Sequence, residues 1–160
     1  MQRTLHIRRR SGLGLGLAAF VLALAALAPR AAHAQKGRII VSDTEFAPPA
    51  SDKEMAQAIK KQGKTTFKGD GAWSLNFMVF LNAAPGANQI NLVYYDLSKK
   101  REQVSFSEVG VKPDQKIVLL NGQTLSKEMG FVKGHTYDVR ATRVIGGKEK
   151  VYAKATITLK

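Results

Sequence analysis

The stretch FVKGHTYDVRATRV, Phe131 to Val144, decides how the rest of the chain is read. After Gly134 the apolar residues alternate, with Tyr137, Val139 and Ala141 on one side and Asp138, Arg140 and Thr142 on the other. A period of two is the signature of a strand with one buried face. His135 is the one histidine after residue 34, and it lies two residues from Tyr137 and three from Asp138. A catalytic or metal role therefore competes with a role in the turn. A zinc or copper centre would have to be assembled from carboxylates around a single imidazole, because the chain has no cysteine and no further histidine follows the first 34 residues. No G-x-S-x-G elbow is present, and Asp138 alternates away from Tyr137. His135 is read as a turn residue, with no catalytic, cofactor or metal site assigned.

Outward from this stretch the chain keeps alternating short apolar runs with turn punctuation. RIIVSD, Arg38–Asp43, reads as a first strand. Ser51-Asp52-Lys53-Glu54 forms a capping box ahead of MAQAIKKQG, which predicts a helix over about 52–62 with Met55 and Ile59 on one face and Gly63 at its end. WSLNFMVFLN, Trp73–Asn82, is the strongest strand signal: Trp73, Leu75, Phe77, Val79 and Leu81 share a face, while Met78 and Phe80 need cover on the other. The helix is expected to supply that cover. Strands follow at Gln89–Asp96 and Gln103–Val109, the latter with Val104 and Phe106 alternating against serines. In KIVLLNGQTL, Asn121-Gly122 reads as a hairpin turn, since a type I′ turn needs φ > 0 at both central residues. Thr136–Ile145 and Val151–Leu159 complete about seven strands, which predicts an all-β antiparallel sandwich. If Tyr137, Val139 and Ala141 share the core with Val151, Ala153 and Ala155, the loop at Gly146-Gly147 must hold an odd number of residues, with three as the natural choice.

The first 34 residues read as an export signal. Arg3, Arg8, Arg9 and Arg10 precede an apolar run, Gly12–Ala28, and Pro29 then leads to Ala32-His33-Ala34. This is the pattern of a cleaved secretory leader, so 1–34 is expected to be removed and 35–160 to form one domain in the periplasm or outside the cell. Residues 35–160 retain 20 basic and 12 acidic side chains, a net charge of +8. Such a surplus favours anionic partners. Without cysteine, stability must come from an ordinary hydrophobic core.

The quoted stretch resembles the turn and sixth strand of fibronectin type III and related immunoglobulin-like domains. Phe131, Gly134, Tyr137, Val139 and Ala141 match that pattern, with Lys133 where proline is frequent and His135 where threonine is frequent. The resemblance implies a tyrosine corner, in which the Tyr137 hydroxyl bonds backbone a few residues upstream. Trp73 is similar to the core tryptophan of fibronectin type III domains. The chain departs from the pattern in carrying the 52–62 helix and in lacking the disulfide of antibody domains.

Even positions on the last two strands should face solvent, which gathers Arg140, Tyr152 and Lys154 with Tyr95 or Tyr94 on one sheet face. Cations interleaved with tyrosines suit anionic glycans or single-stranded nucleic acid. The expectation is a non-enzymatic binding module that uses Tyr95, Arg140, Tyr152 and Lys154 to recognise an anionic polysaccharide, lipopolysaccharide or another envelope protein, with nucleic acid less favoured. A structural role through strand pairing at an open edge is the alternative. Hydrolysis by paired carboxylates is a weaker third reading, since nothing selects a pair among Asp43, Glu45, Asp52, Glu54, Asp70, Asp96, Glu108 and Asp114.

Overall fold

The computed structural model describes residues 35–160, and the leader reading falls on 1–34, outside the described residues. In chain order the elements are β1 (Arg38–Ser42), α1 (Asp52–Gln62), β2 (Thr66–Phe67), β3 (Ala72–Phe80), β4 (Gln89–Asp96), β5 (Glu102–Gly110) and β6 (Ile117–Ser126). A single 3₁₀ turn, Lys127–Met129, then leads to β7 (Thr136–Ile145) and β8 (Lys148–Leu159). The strands form one curled sheet, a half-barrel, in the order β5-β4-β7-β8-β1-β3-β6, with β2 against β8. The pairing is mixed. β1 and β2 both run parallel to β8, and every other pair is antiparallel, so the wholly antiparallel expectation is corrected at this seam.

The inner face of the curl buries Trp73, Leu75, Phe77, Val79 and Leu81 against Leu92, Tyr94, Phe131, Tyr137, Val139 and Ile157. The outer side of β3 carries a second apolar cluster in which Met78 and Phe80 meet Ile40, Phe46 and Met55, with Ile59 and Leu119 at its margin. The α1 helix thus covers the residues that its sequence periodicity assigned to it. Its start is capped as expected: the Ser51 side chain accepts from the Glu54 amide at 3.3 Å, and the Glu54 carboxylate reaches back to the Ala50 amide at 2.9 Å. Its end departs from the expected left-handed cap. Gly63 has φ −63° and donates to the Ile59 carbonyl. It is needed for space, since a Cβ there would lie 2.7 Å from the Ile59 oxygen and 3.1 Å from the Ile40 side chain.

Three bulges account for the places where alternation misleads. Asn121-Gly122 is no hairpin turn: β6 continues through it, and the two residues oppose Asn76 alone. Gly122 takes the φ of +68° that Asn-Gly favours, and its amide donates to the Asn76 side chain at 2.8 Å, which spares the strand a reversal. On β5 the extra residue is Val104, between the pairs Tyr94↔Ser105 and Tyr95↔Gln103. Val104 therefore turns toward the core while Phe106 is left 56% exposed. On β8 the extra residue is Tyr152.

The β8 bulge also resolves the parity of the last hairpin. Its loop holds two residues, Gly146 and Gly147, with φ +58° and +75°, and Ile145 pairs with Lys148. Two glycines in the left-handed region form the tight turn whose twist matches the strands, which makes a third loop residue unnecessary. The odd pairing sum that results is restored to even at Ala141↔Ala153 by insertion of Tyr152. Tyr137↔Ile157 and Val139↔Ala155 then pair odd with odd, as the core requires.

Candidate functional site

Strand register brings four outward positions into one row across the seam. Val93 on β4 lies beside Arg140 on β7, Arg140 beside Lys154 on β8, and Lys154 beside Arg38 on β1. The adjacent row is Tyr95, Asp138 and Thr156. Of the residues expected on this face, Tyr95, Arg140 and Lys154 are present and Tyr152 is not. Tyr152 is buried by its bulge, and its hydroxyl donates to the Pro85 carbonyl at 3.2 Å. Of the two candidate tyrosines on β4, Tyr94 faces the core and Tyr95 faces out.

Two guanidinium groups lie over the Tyr95 ring, Arg101 at 5.5 Å and Arg140 at 5.2 Å from its centroid. Its hydroxyl donates to Glu149 at 2.9 Å. Arg140 donates to Asp138 at 2.8 Å and reaches Glu149 at 3.4 Å, while Arg101 contacts Asp138 at 3.3 Å. Two cations and two carboxylates therefore close around one phenol, and the group is neutral as a whole. Burial raises the Asp138 carboxyl above its usual range, partly offset by Arg101 and Lys154. The Tyr95 phenol is raised too, first by burial and then by its bond to Glu149. Arg140 is thus engaged internally. Lys154 and Arg38 are exposed, and among the described residues neither makes an ion pair.

Beside this row lies a groove of about 730 Å³, between α1 on one side and the outer faces of β7 and β8 on the other. Ile59 and Gly63 form its helical wall, Asp138 and Arg140 the opposite one, and the Arg38–Lys154 rung one end. Its floor is the interval where β1 and β8 separate. The parallel ladder has one rung at Arg38↔Lys154 and resumes only at Thr66↔Thr158, through β2.

The corner residues occupy a different region. Tyr137 is fully buried, and its hydroxyl accepts from the Val132 amide at 2.7 Å, the contact that the resemblance implied. Phe131 packs edge-on at 5.1 Å from the Tyr137 ring, and Gly134 takes φ +88° in the turn. Trp73 is buried and directs its indole N–H toward the Lys160 carbonyl at 3.4 Å. His135 Nδ1 lies 2.7 Å from Asp96, whose buried carboxylate also accepts the Ser98 amide at 2.8 Å. This partner was not visible in the sequence, because it lies 39 residues away. The pair ties the end of β4 to the corner. Ser98 Oγ, two residues beyond Asp96, accepts the Thr136 amide at 3.2 Å instead of joining the imidazole. Among the described residues no three His, Cys, Asp or Glu side chains gather as metal ligands, and no helix is long and apolar enough to cross a membrane. Asp43 and Asp96, two of the scattered acids, are each paired with a base, Lys64 and His135 respectively.

Comparison with known proteins finds no matching family model, no matching curated protein and no matching solved structure.

Proposed function

We propose that residues 35–160 form an immunoglobulin-like binding module of the periplasm or cell exterior, without enzymatic activity, that recognises an anionic envelope component or partner protein. The fold reading draws support from the hydroxyl-to-backbone bond of Tyr137, the buried Trp73 and the placement of β1 between β8 and β3. The binding reading rests on one observation: Arg38 and Lys154 stand side by side at the end of a groove, and among the described residues neither makes an ion pair. The reading moves the ligand contact away from Tyr152 and Arg140, toward the unpaired cations. Retention on an immobilised polyanion tests it across a salt series. Arg38→Ala with Lys154→Ala should weaken binding several-fold, whereas Arg140→Ala should act mainly on stability. Affinity that does not change between low and high salt would sink the proposal.

The alternative of strand pairing is favoured by a separate feature. The outer edge of β5 is nine residues long, contains neither lysine nor proline, and presents Phe106 to solvent. Such an edge is a template for another strand. Sedimentation velocity over a concentration series tests it: a monomer at every concentration removes self-pairing, and a dimer abolished by Ser107→Pro supports it.

A further inference from the structure

The β7–β8 hairpin runs past the sheet that carries it. The β4–β7 ladder ends at Asn91↔Thr142 and β1 meets β8 only at Lys154, so from Arg143 to Lys150 the two strands pair only with each other. The two-glycine turn closes this ribbon, and every residue from Val144 to Lys150 is exposed. Two large aliphatic side chains stand at its tip, Val144 at 61% and Ile145 at 45% exposure. Successive strand residues point to opposite faces, so each face of the ribbon ends in one aliphatic group. Ile145 shares its face with Lys148 and, two rows back, with Arg143 and Lys150. Val144 shares the other with Glu149, whose carboxylate is engaged by Tyr95 and Arg140. Among the described residues Lys148 and Lys150 make no ion pair, and Arg143 spends its donors on the Pro85 carbonyl at 3.1 Å, so all three charges stand uncompensated beside the tip.

We infer that this hairpin docks the domain on an anionic phospholipid surface, with Val144 and Ile145 entering the boundary between headgroups and acyl chains and Lys148 and Lys150 on the lipid phosphates. The placement of the aliphatic groups selects the partner. A protein surface packed on one face of the ribbon would leave the other aliphatic side chain in water, whereas a fluid interface surrounds a projecting tip and covers both. The charge fits as well, because long cationic side chains beside an apolar tip can bury their stems and keep their ammonium groups at headgroup level. The depth agrees: from the Ile145↔Lys148 pair back to Arg143↔Lys150 is two residues of strand, about 7 Å, and interfacial elements sink roughly 5–10 Å. The inference goes beyond the groove reading, since none of these residues lines the groove and the Arg38–Lys154 rung takes no part in it.

The test uses protein expressed from the full chain and two kinds of vesicle, phosphatidylcholine alone and phosphatidylcholine mixed equally with phosphatidylglycerol. Flotation measures partitioning, and quenching of Ile145→Trp fluorescence by lipids brominated in the acyl chains measures depth, with the buried Trp73 as a constant background. The protein should float only with the anionic vesicles, and the tryptophan should be quenched. Lys148→Gln with Lys150→Gln should weaken partitioning about thirtyfold, which is ~2 kcal/mol for two cations. Val144→Ser with Ile145→Ser should weaken it about tenfold, while Arg38→Ala with Lys154→Ala leaves it unchanged. Both hairpin variants change exposed side chains only and should keep the urea midpoint of the parent. Flotation lost with the Arg38 and Lys154 pair but kept in both hairpin variants would overturn this inference and leave the groove reading standing. So would absence of flotation beside salt-sensitive retention on the immobilised polyanion. An unquenched tryptophan together with full binding by the serine pair would overturn insertion, and a dimer in lipid-free solution that the serine pair abolishes would overturn the membrane in favour of a second copy.

Discussion

Phenylalanine substitution at two buried tyrosines separates the tyrosine corner from ordinary core packing. Tyr137 and Tyr94 are both almost fully buried, and Phe131 packs edge-on to each ring, at 5.1 Å and 5.2 Å. They differ in their hydroxyls. That of Tyr137 accepts the Val132 amide at 2.7 Å, whereas that of Tyr94 has no hydrogen-bond partner among the described residues. Tyr137→Phe keeps the ring and leaves a backbone donor without its acceptor, at a cost of about 1–3 kcal/mol. Val132 lies at the surface, so water relieves part of this and the expected loss is about 1.5 kcal/mol. With a urea m-value near 2 kcal/mol/M, the unfolding midpoint should fall by roughly 0.8 M. Tyr94→Phe should shift it by less than about 0.25 M, since no bond is lost. Urea unfolding followed by circular dichroism, with m checked for constancy, measures both. Equal losses for the two variants would refute the claim that the hydroxyl-to-backbone bond stabilises the corner.

Three other outcomes follow from the same structure. Met55→Ala should cost about 2–3 kcal/mol in thermal or urea unfolding, because Met55 seals the outer cluster over Met78 and Phe80; a cost below about 1 kcal/mol would mean that α1 is a loose cover. Gly146→Ala should lose about 1 kcal/mol, since φ +58° crowds a Cβ, while the core register set by the Tyr152 bulge stays unchanged by NMR. Alkaline titration should be abnormal. Burial raises the Tyr94 and Tyr137 phenols, so the folded state holds their protons more tightly than the unfolded chain does. That contribution is complete below pH ~10 and is lost as pH rises through the raised values. Phenolate absorbance at 295 nm from these two should thus appear only with unfolding, and Tyr94→Phe should move the unfolding midpoint to higher pH. Full ionisation of all four tyrosines before loss of the dichroism signal would contradict the burial argument.

Local patterns in the sequence carried much of this architecture. The bounds of α1, its capping serine and its apolar underside were all readable, because each depends on residues within a few positions of one another. The inner face of β3 and the alternation of β7 were readable for the same reason. The bulges were not, because whether a residue is inserted depends on what the opposite strand offers. Tyr152 turns inward because the Pro85 carbonyl waits for its hydroxyl, 67 residues away. Asn121-Gly122 has the conformation of a turn, but the Asn76 amide holds it within the strand. The candidate site suffered from the same limit. Arg140 looked available in the sequence; Asp138 stands two residues before it on the same side of the strand, but only the β7–β8 pairing brings Glu149 to its guanidinium. Arg38 showed no sign of belonging with Lys154, since the parallel rung that joins them spans nearly the whole domain.

That rung also orders events in time. The first strand is bonded to the last, so during synthesis β1 exists long before its β8 partner does. At roughly 5–20 residues per second, the 116 positions from Arg38 to Lys154 take about 6–23 s to appear, whereas β3 follows β1 within a few seconds. The partner strand β3 is thus available to β1 first, and the other edge of β1 has no partner until the chain is nearly finished. In the arm formed by β4, β5, β7 and β8, two of the three antiparallel pairs, β4 with β5 and β7 with β8, join strands consecutive in the chain, and none of the three involves β1. The seam is the last joint to close, and it closes incompletely.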